Sequence, residues 1–326
     1  MNLRTLDLFH GAGGCSIGAQ MAGAEIVAGI DYWDIASDCY EKNFPQAMLI
    51  RQDIRKVSPK RLHEEIGDID LIVASPECTN HSCAKGSKER CEASNITAFQ
   101  VTRFAKVFKP KWIVIENVVQ MQSWDRYPEF LERLRRMGYY VREEKLNAKD
   151  FGVPQSRRRL FLLCSLLSEI DPVPLPTVEY KPASSVINFD GTYPFTPLFS
   201  ERRAKATLDR AERAIAEIGN RQDFLIVYYG TDGGGGWQAI DRPLRTITTL
   251  DRFAYVKPTM NGHMLRMLQP EELKAAMGFP VNYKLESGTR RDRVKLMGNA
   301  VCPPVVTQLV QSLASQPSQR DVGLAE

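Results

Sequence analysis

The sequence predicts an α/β protein, a doubly wound and mostly parallel sheet joined to a second, smaller and irregular domain. Three observations carry this expectation. Through the first half of the chain short apolar runs alternate with amphipathic stretches, the pattern of a parallel sheet covered by helices on both faces. A proline-rich passage, Asp171-Pro172-Val173-Pro174-Leu175-Pro176, then ends regular structure, because proline lacks the amide that helix and sheet require. Beyond it the alternation gives way to irregular sequence as far as Tyr255.

Taken in order, residues 5–9, 25–30, 71–74 and 112–115 read as strands, with helical patterns at 35–43 and 96–108 between them. Two further strand candidates, 139–146 and 160–163, precede the proline-rich passage. In the irregular region a helix is expected over 203–218, followed by a glycine run at 233–236 beside Trp237. Such a run reaches backbone conformations closed to other residues, which suits close approach to a ligand or a loose hairpin. After Pro303-Pro304 an apolar helix over 305–313 is expected to return to the first core. The predicted division is therefore 1–170 for a first domain, 171–260 for a second, 261–316 for a returning segment, and 317–326 for a disordered tail rich in small and polar residues.

Composition bounds the function classes. The 326 residues are 43% hydrophobic and 25% charged, typical of a soluble globular protein, and no apolar run approaches the roughly 20 residues of a membrane span. Met1-Asn2-Leu3-Arg4 runs straight into a strand-like segment without a secretory signal, so a cytoplasmic protein is expected. Seven cysteines, an odd number at irregular spacing, argue for free thiols. The net charge of +4 and pI near 8.6 decide little. The clustering of cations in Arg157-Arg158-Arg159, Arg202-Arg203, Arg242 with Arg245, and Arg290-Arg291 with Arg293 suits either a phosphate-facing surface or ordinary solvated faces.

The segment Asp7-Leu8-Phe9-His10-Gly11-Ala12-Gly13-Gly14-Cys15-Ser16 joins the first strand to the first helix. Glycines there let a ligand approach the backbone, and the helix amino terminus favours negative charge. Asp31 ends the second strand, where a carboxylate can accept both hydroxyls of a ribose. Tyr32 and Trp33 follow with rings able to stack on adenine, and Asp53 offers an acceptor for an adenine amino group. Taken singly, Asp31 also suits the cap of the next helix and Phe9 a core position. Together they point to an adenosine-bearing cofactor.

Here the sequence resembles a family. Asp-Leu-Phe-x-Gly-x-Gly-Gly is similar to the first motif of the cytosine-5 DNA methyltransferases, and matching stretches follow in that family's order. The resemblance implies a sheet of the S-adenosylmethionine-dependent methyltransferase type and S-adenosyl-L-methionine as cofactor. It places the cofactor against Phe9, Gly11, Ala12, Gly13 and Gly14, against Asp31, Tyr32, Asp53 and Ile54, and against Asn299 and Val301 of the closing segment Gly298-Asn299-Ala300-Val301-Cys302-Pro303-Pro304. No resident metal is implied.

Carbon 5 of cytosine is too weak a nucleophile to take a methyl group directly, and addition of a thiolate to carbon 6 activates it. Ala74-Ser75-Pro76-Glu77-Cys78-Thr79-Asn80-His81-Ser82 follows the fourth strand and makes Cys78 the candidate, at the station where the resemblance implies the catalytic cysteine. Glu77 stands where the family usually has proline, Thr79 where it has glutamine and His81 where it has phenylalanine. A carboxylate beside Cys78 is expected to raise the thiol pKa, a protonated His81 to lower it. A rival reading takes Cys78, His81, Cys83 and Cys91 as a zinc set, although the spacing matches no common module.

Lys111 to Val118 is an apolar strand ending in Glu116-Asn117-Val118. An acid near N3 stabilises charge pushed onto the ring, and the resemblance gives that task to Glu116. Gln155-Ser156-Arg157-Arg158-Arg159 matches Gln-x-Arg-x-Arg, which implies Arg159 at the cytosine O2 and Arg157 near the target's phosphate. Arg242 to Thr248 and Met264 to Leu273 also resemble family motifs, so the region around 171–260 is expected to be the target-recognition domain. The expected partner is double-stranded DNA, with the chain acting as a monomer and the cytosine rotated out of the stack. The same chemistry on transfer RNA, or a catalytically weak DNA-binding homologue, are the competing readings.

Overall fold

The computed structural model describes residues 3–77, 97–229 and 234–316. The chain divides into two compact units, one of residues 1–151, 158–177 and 300–326, the other of residues 152–157 and 178–299.

The first unit is built on seven strands: β1 (Leu3–Leu8), β2 (Ala24–Asp31), β3 (Met48–Arg51), β4 (Leu71–Ala74), β5 (Trp112–Asn117), β6 (Tyr140–Asn147) and β7 (Arg158–Ser165). They lie in the order β3-β2-β1-β4-β5-β7-β6. The first five run parallel, and β7 is antiparallel to both neighbours. Chain order reverses beside β1, which has β2 on one side and β4 on the other, so a ligand crevice is expected beyond their carboxyl ends. Burial matches these places in the sheet. Every residue of β4 (Leu-Ile-Val-Ala) and of β5 is buried, as strands covered on both faces must be, whereas edge strand β6 carries Arg142, Glu143, Glu144 and Lys145.

Helices α1 (Gly14–Met21), α2 (Asp34–Asn43), α3 (Pro59–Ile66), α4 (Ala98–Phe108) and α5 (Tyr127–Arg136) connect these strands. α4 buries Phe99, Val101, Phe104 and Phe108 in the main core.

The second unit is more regular than expected. It contains a five-stranded antiparallel sheet, β10-β9-β11-β12-β8, formed by β8 (Thr196–Pro197), β9 (Phe224–Val227), β10 (Trp237–Ala239), β11 (Phe253–Thr259) and β12 (Gly262–Met267). The helix expected over 203–218 is α6 (Lys205–Ile218), whose Ala211 and Ala214 pack on Phe224 and Ile226. Residues 261–299, expected to return to the first domain, group with the second unit. The reason is pairing: β12 is the hairpin partner of β11, which pairs with β9, so the chain cannot leave this sheet at 260. α7 (Pro270–Ala276) and α8 (Arg290–Asn299) follow, α7 being tied to β12 by a buried Arg266–Glu272 ion pair at 2.6 Å. Only from Ala300 does the chain rejoin the first unit, through α9 (Pro303–Ser315). There α9 meets α1: a Cβ on Gly18 would lie 2.5 Å from the Val306 Cβ, and the Thr307 hydroxyl donates to the Gly18 carbonyl at 3.0 Å. The tail expected over 317–326 lies outside the described residues. Among the described residues no helix is long and apolar enough to cross a membrane.

Candidate active site

The turn after β1 is held open by unusual backbone. Phe9, Gly11 and Gly13 all have positive φ, at 65°, 50° and 72°, the left-handed region that disfavours a Cβ. The amides of Phe9 and His10 both donate to the Ile30 carbonyl, and the Gly11 amide donates to Asp31 Oδ2 at 2.9 Å. The other Asp31 oxygen accepts from the Trp33 amide at 2.9 Å, just before α2. The helix-entry reading and the ligand reading of Asp31 are therefore compatible, because each carboxylate oxygen keeps a second lone pair.

The loop glycines serve different ends. A Cβ at Gly11 would meet nothing within 4 Å, whereas one at Gly13 would lie 2.8 Å from the Phe44 ring and one at Gly14 only 2.1 Å from the Val301 carbonyl oxygen. Gly13 and Gly14, expected to lie against the cofactor, thus owe their lack of a side chain to packing within the protein. Ala12 is buried as well. Val301 is placed against the glycine turn itself, while Asn299 is exposed at the end of α8 in the second unit.

Beyond the strand ends lies a cleft of about 310 Å³, lined among others by Phe9, Ile30, Asp31, Tyr32, Asp53 and Ile54. A lining of apolar side chains and carboxylates suits an adenosine. Asp53 is not a free acceptor: Arg55 bridges it with Nε at 2.9 Å and Nη2 at 2.5 Å, which holds its carboxyl below the usual range. Sequence reasoning missed Arg103, which reaches from α4 to the carbonyls of Ile54, Arg55 and Val57 and so fixes the cleft-wall turn.

A second site lies at the ends of β4 and β5. Glu116 is 6% exposed. One of its oxygens accepts from the Ser75 hydroxyl at 2.8 Å and the other pairs with Arg159 Nε at 3.0 Å. Asn117 donates to the Pro76 carbonyl at 3.2 Å and accepts from the Val118 amide, which fixes the stretch leading to Cys78. Ser75 was not among the expected site residues.

Arg157 corrects an expectation. Expected near the target's phosphate, it instead precedes β7, is 3% exposed, and donates to the carbonyls of Ile247 and Gly298, both at 2.8 Å. These carbonyls, one of them at the end of α8, need donors, and Arg157 is spent on them inside the second unit. Arg290, one of the clustered cations, is likewise paired with Asp251. Cys78 and the alternative metal set of Cys78, His81, Cys83 and Cys91 lie outside the described residues.

This strand order, with a cleft carrying acidic residues at the switch point, fits an S-adenosylmethionine-dependent methyltransferase. The sequence model of the C-5 cytosine-specific DNA methylases matches residues 3–315, and the chain belongs to that family. Such enzymes transfer the methyl group of S-adenosyl-L-methionine to carbon 5 of cytosine. The Type II methyltransferase M.DdeI of Desulfomicrobium norvegicum is 36% identical over 49% of this chain and 40% of its own length. The Type II methyltransferase M1.HphI of Haemophilus parahaemolyticus is 27% identical over 95% and 86%. A solved DNMT2 variant of Spodoptera frugiperda superposes with a TM-score of 0.73 over 96% of this chain and 100% of that one, at 18% identity, a likeness of fold.

Proposed function

We propose that the enzyme acts on double-stranded DNA, takes the target cytosine out of the helix, and attacks its carbon 6 with Cys78. The observation that carries this reading is the buried Glu116 carboxylate held between Ser75 and Arg159. Burying a charge is costly unless it is paired, and here the pairing leaves the carboxylate at the strand ends, on the segment that continues to Cys78. That segment is bounded on one side by Ser75 in the Glu116 site and on the other by Glu77 in the cofactor cleft.

The roles follow from chemistry. Addition of the Cys78 thiolate to carbon 6 breaks the 5,6 double bond and pushes charge toward N3, where Glu116 supplies a proton or a hydrogen bond. Arg159 orients Glu116 and faces the O2 edge. Carbon 5 is thereby made nucleophilic. In the cleft Asp31 takes the ribose hydroxyls, Phe9 and Ile54 supply apolar walls, and Tyr32 the aromatic one. When bound, S-adenosyl-L-methionine supplies an electrophilic methyl group. Once carbon 5 carries the methyl group, water takes the carbon 5 proton, and the freed electron pair re-forms the 5,6 double bond as the carbon 6–sulfur bond breaks and the thiolate of Cys78 leaves.

Rotating the base out costs roughly a few kcal/mol, which phosphate contacts must offset. A separately packed second unit with its own core is suited to supply them, Arg242 being largely exposed. The test is covalent trapping on duplex DNA containing 5-fluorocytosine, with tritiated methyl transfer to duplex DNA and to transfer RNA measured in parallel. A denaturation-resistant adduct that Cys78→Ala abolishes is expected. Label on transfer RNA alone, or an adduct that survives Cys78→Ala, overturns the reading.

A further inference from the structure

Glu77, the residue that replaces the family's usual proline, does something in this fold that proline cannot. Its Oε1 accepts a hydrogen bond of 2.7 Å from the Tyr32 hydroxyl. Tyr32 directly follows the last residue of β2 and Glu77 lies three residues beyond the end of β4. In the sheet β1 separates those two strands. The bond therefore passes over the carboxyl end of β1, where the chain turns at Phe9, and both of its residues line the cleft of about 310 Å³.

Tyr32 is 62% exposed, so its ring, left alone, would sample several rotamers, and a ligand stacking on it would have to order it. The Glu77 hydrogen bond orders it in advance. That bond also raises the Tyr32 phenol to about 12, burial assisting. The carboxylate is thus committed to the cofactor side of the segment, whereas the sequence alone suggested that it acts on the neighbouring thiol.

We propose that Glu77 is a positioning residue of the cofactor cleft, which fixes the Tyr32 ring as a wall of the adenosine site through a hydrogen bond spanning the end of β1. This rests on the reading of the cleft as the cofactor site. Only an acceptor side chain at 77 can fill the role, and proline has none.

The experiment is calorimetric titration of S-adenosyl-L-homocysteine into the full-length chain and the variants Tyr32→Phe, Glu77→Pro, Glu77→Gln and Tyr32→Phe/Glu77→Pro, with Asp31→Ala as a control on the cleft. Removing the hydrogen bond that pre-orders the aromatic wall is expected to raise Kd by roughly three- to tenfold in Tyr32→Phe and in Glu77→Pro. The double variant should be no weaker than the weaker single one, because both remove the same bond. Glu77→Gln should bind close to wild type, since its amide oxygen still accepts the phenol proton, and this rescue separates positioning from a general structural role. Glu77→Pro binding as tightly as wild type, additive single effects, or an unchanged Kd with a displaced pH profile of adduct formation would each overturn the proposal, the last by moving the action of Glu77 to Cys78. Wild-type affinity in Asp31→Ala would instead refute the assignment of the cleft itself.

Discussion

Asp7 gives the sharpest quantitative test of what underlies the glycine turn after β1. It lies in β1, fully buried, with Oδ2 accepting from the Ser16 hydroxyl at 2.6 Å and Oδ1 without a partner. Burial pushes its carboxyl from 3.8 up to about 7, the Ser16 hydrogen bond opposing and the Asp31 charge assisting. Because the unfolded chain gives up this proton first, the contribution of Asp7 to stability is complete below about pH 4 and is lost as pH rises through about 7. At about 1.4 kcal/mol per tenfold change in proton affinity, the whole step is worth about 4 kcal/mol, and about 2–3 kcal/mol of it falls between about pH 5 and 8. Asp7→Asn keeps an acceptor for Ser16 and removes the titration. Any packing cost of the amide is the same at both pH values, so it cancels in the difference. Urea unfolding of wild type and variant at the two pH values is expected to show a variant relatively more favourable at the higher pH by that amount. An equal stability difference at both would mean that Asp7 ionises as it does in the unfolded chain, and that burial does not govern it.

Three further outcomes follow from the same geometry. Arg159→Ala leaves the buried Glu116 with Ser75 as its remaining partner and should lower single-turnover methyl transfer by about 10²-fold or more, with S-adenosyl-L-homocysteine affinity retained by calorimetry. Gly14→Ala drives a methyl group into the Val301 carbonyl at 2.1 Å and should cost about 3 kcal/mol; Gly11→Ala meets open space and should cost only about 1–2 kcal/mol of left-handed strain, an order that thermal unfolding can check. Glu272→Ala strands Arg266, whose side chain is 2% exposed, among Tyr193, Phe195 and Tyr255, and should destabilise the second unit by about 3–5 kcal/mol.

The first unit was legible because its strands carry their own signal. The run at 71–74 is β4 to the residue, and the runs at 25–30 and 112–115 fall short of β2 and β5 by one or two residues at an end. Strands buried on both faces are apolar throughout, and no pairing need be known to see them. The second unit was misread as irregular because its strands are as short as Thr196–Pro197 and are defined by partners far along the chain, such as Ala254 against Ile226 and Met267. In the site, Glu116 and Arg159 were named from sequence and meet at 3.0 Å. Arg157 could not be placed the same way, since the donors that the carbonyls of Ile247 and Gly298 require become apparent only once the chain is folded. Ser75 and Arg103 act through hydrogen bonds to groups distant in sequence, and residue type alone does not announce such partnerships.

The close approach of Val301 to Gly14 carries a temporal consequence. The glycine turn after β1 precedes its backing in the chain by a long interval, 289 positions in the case of Gly18 and Thr307. At roughly 5–20 residues per second, a nascent chain exposes the bare flank of α1 for about 15–60 s before α9 can cover it. The turn is therefore backed only after Val301 and α9 have been made, and an interrupted product that stops short of Val301 carries every residue of the Glu116 pair yet lacks the surface packed against Gly14.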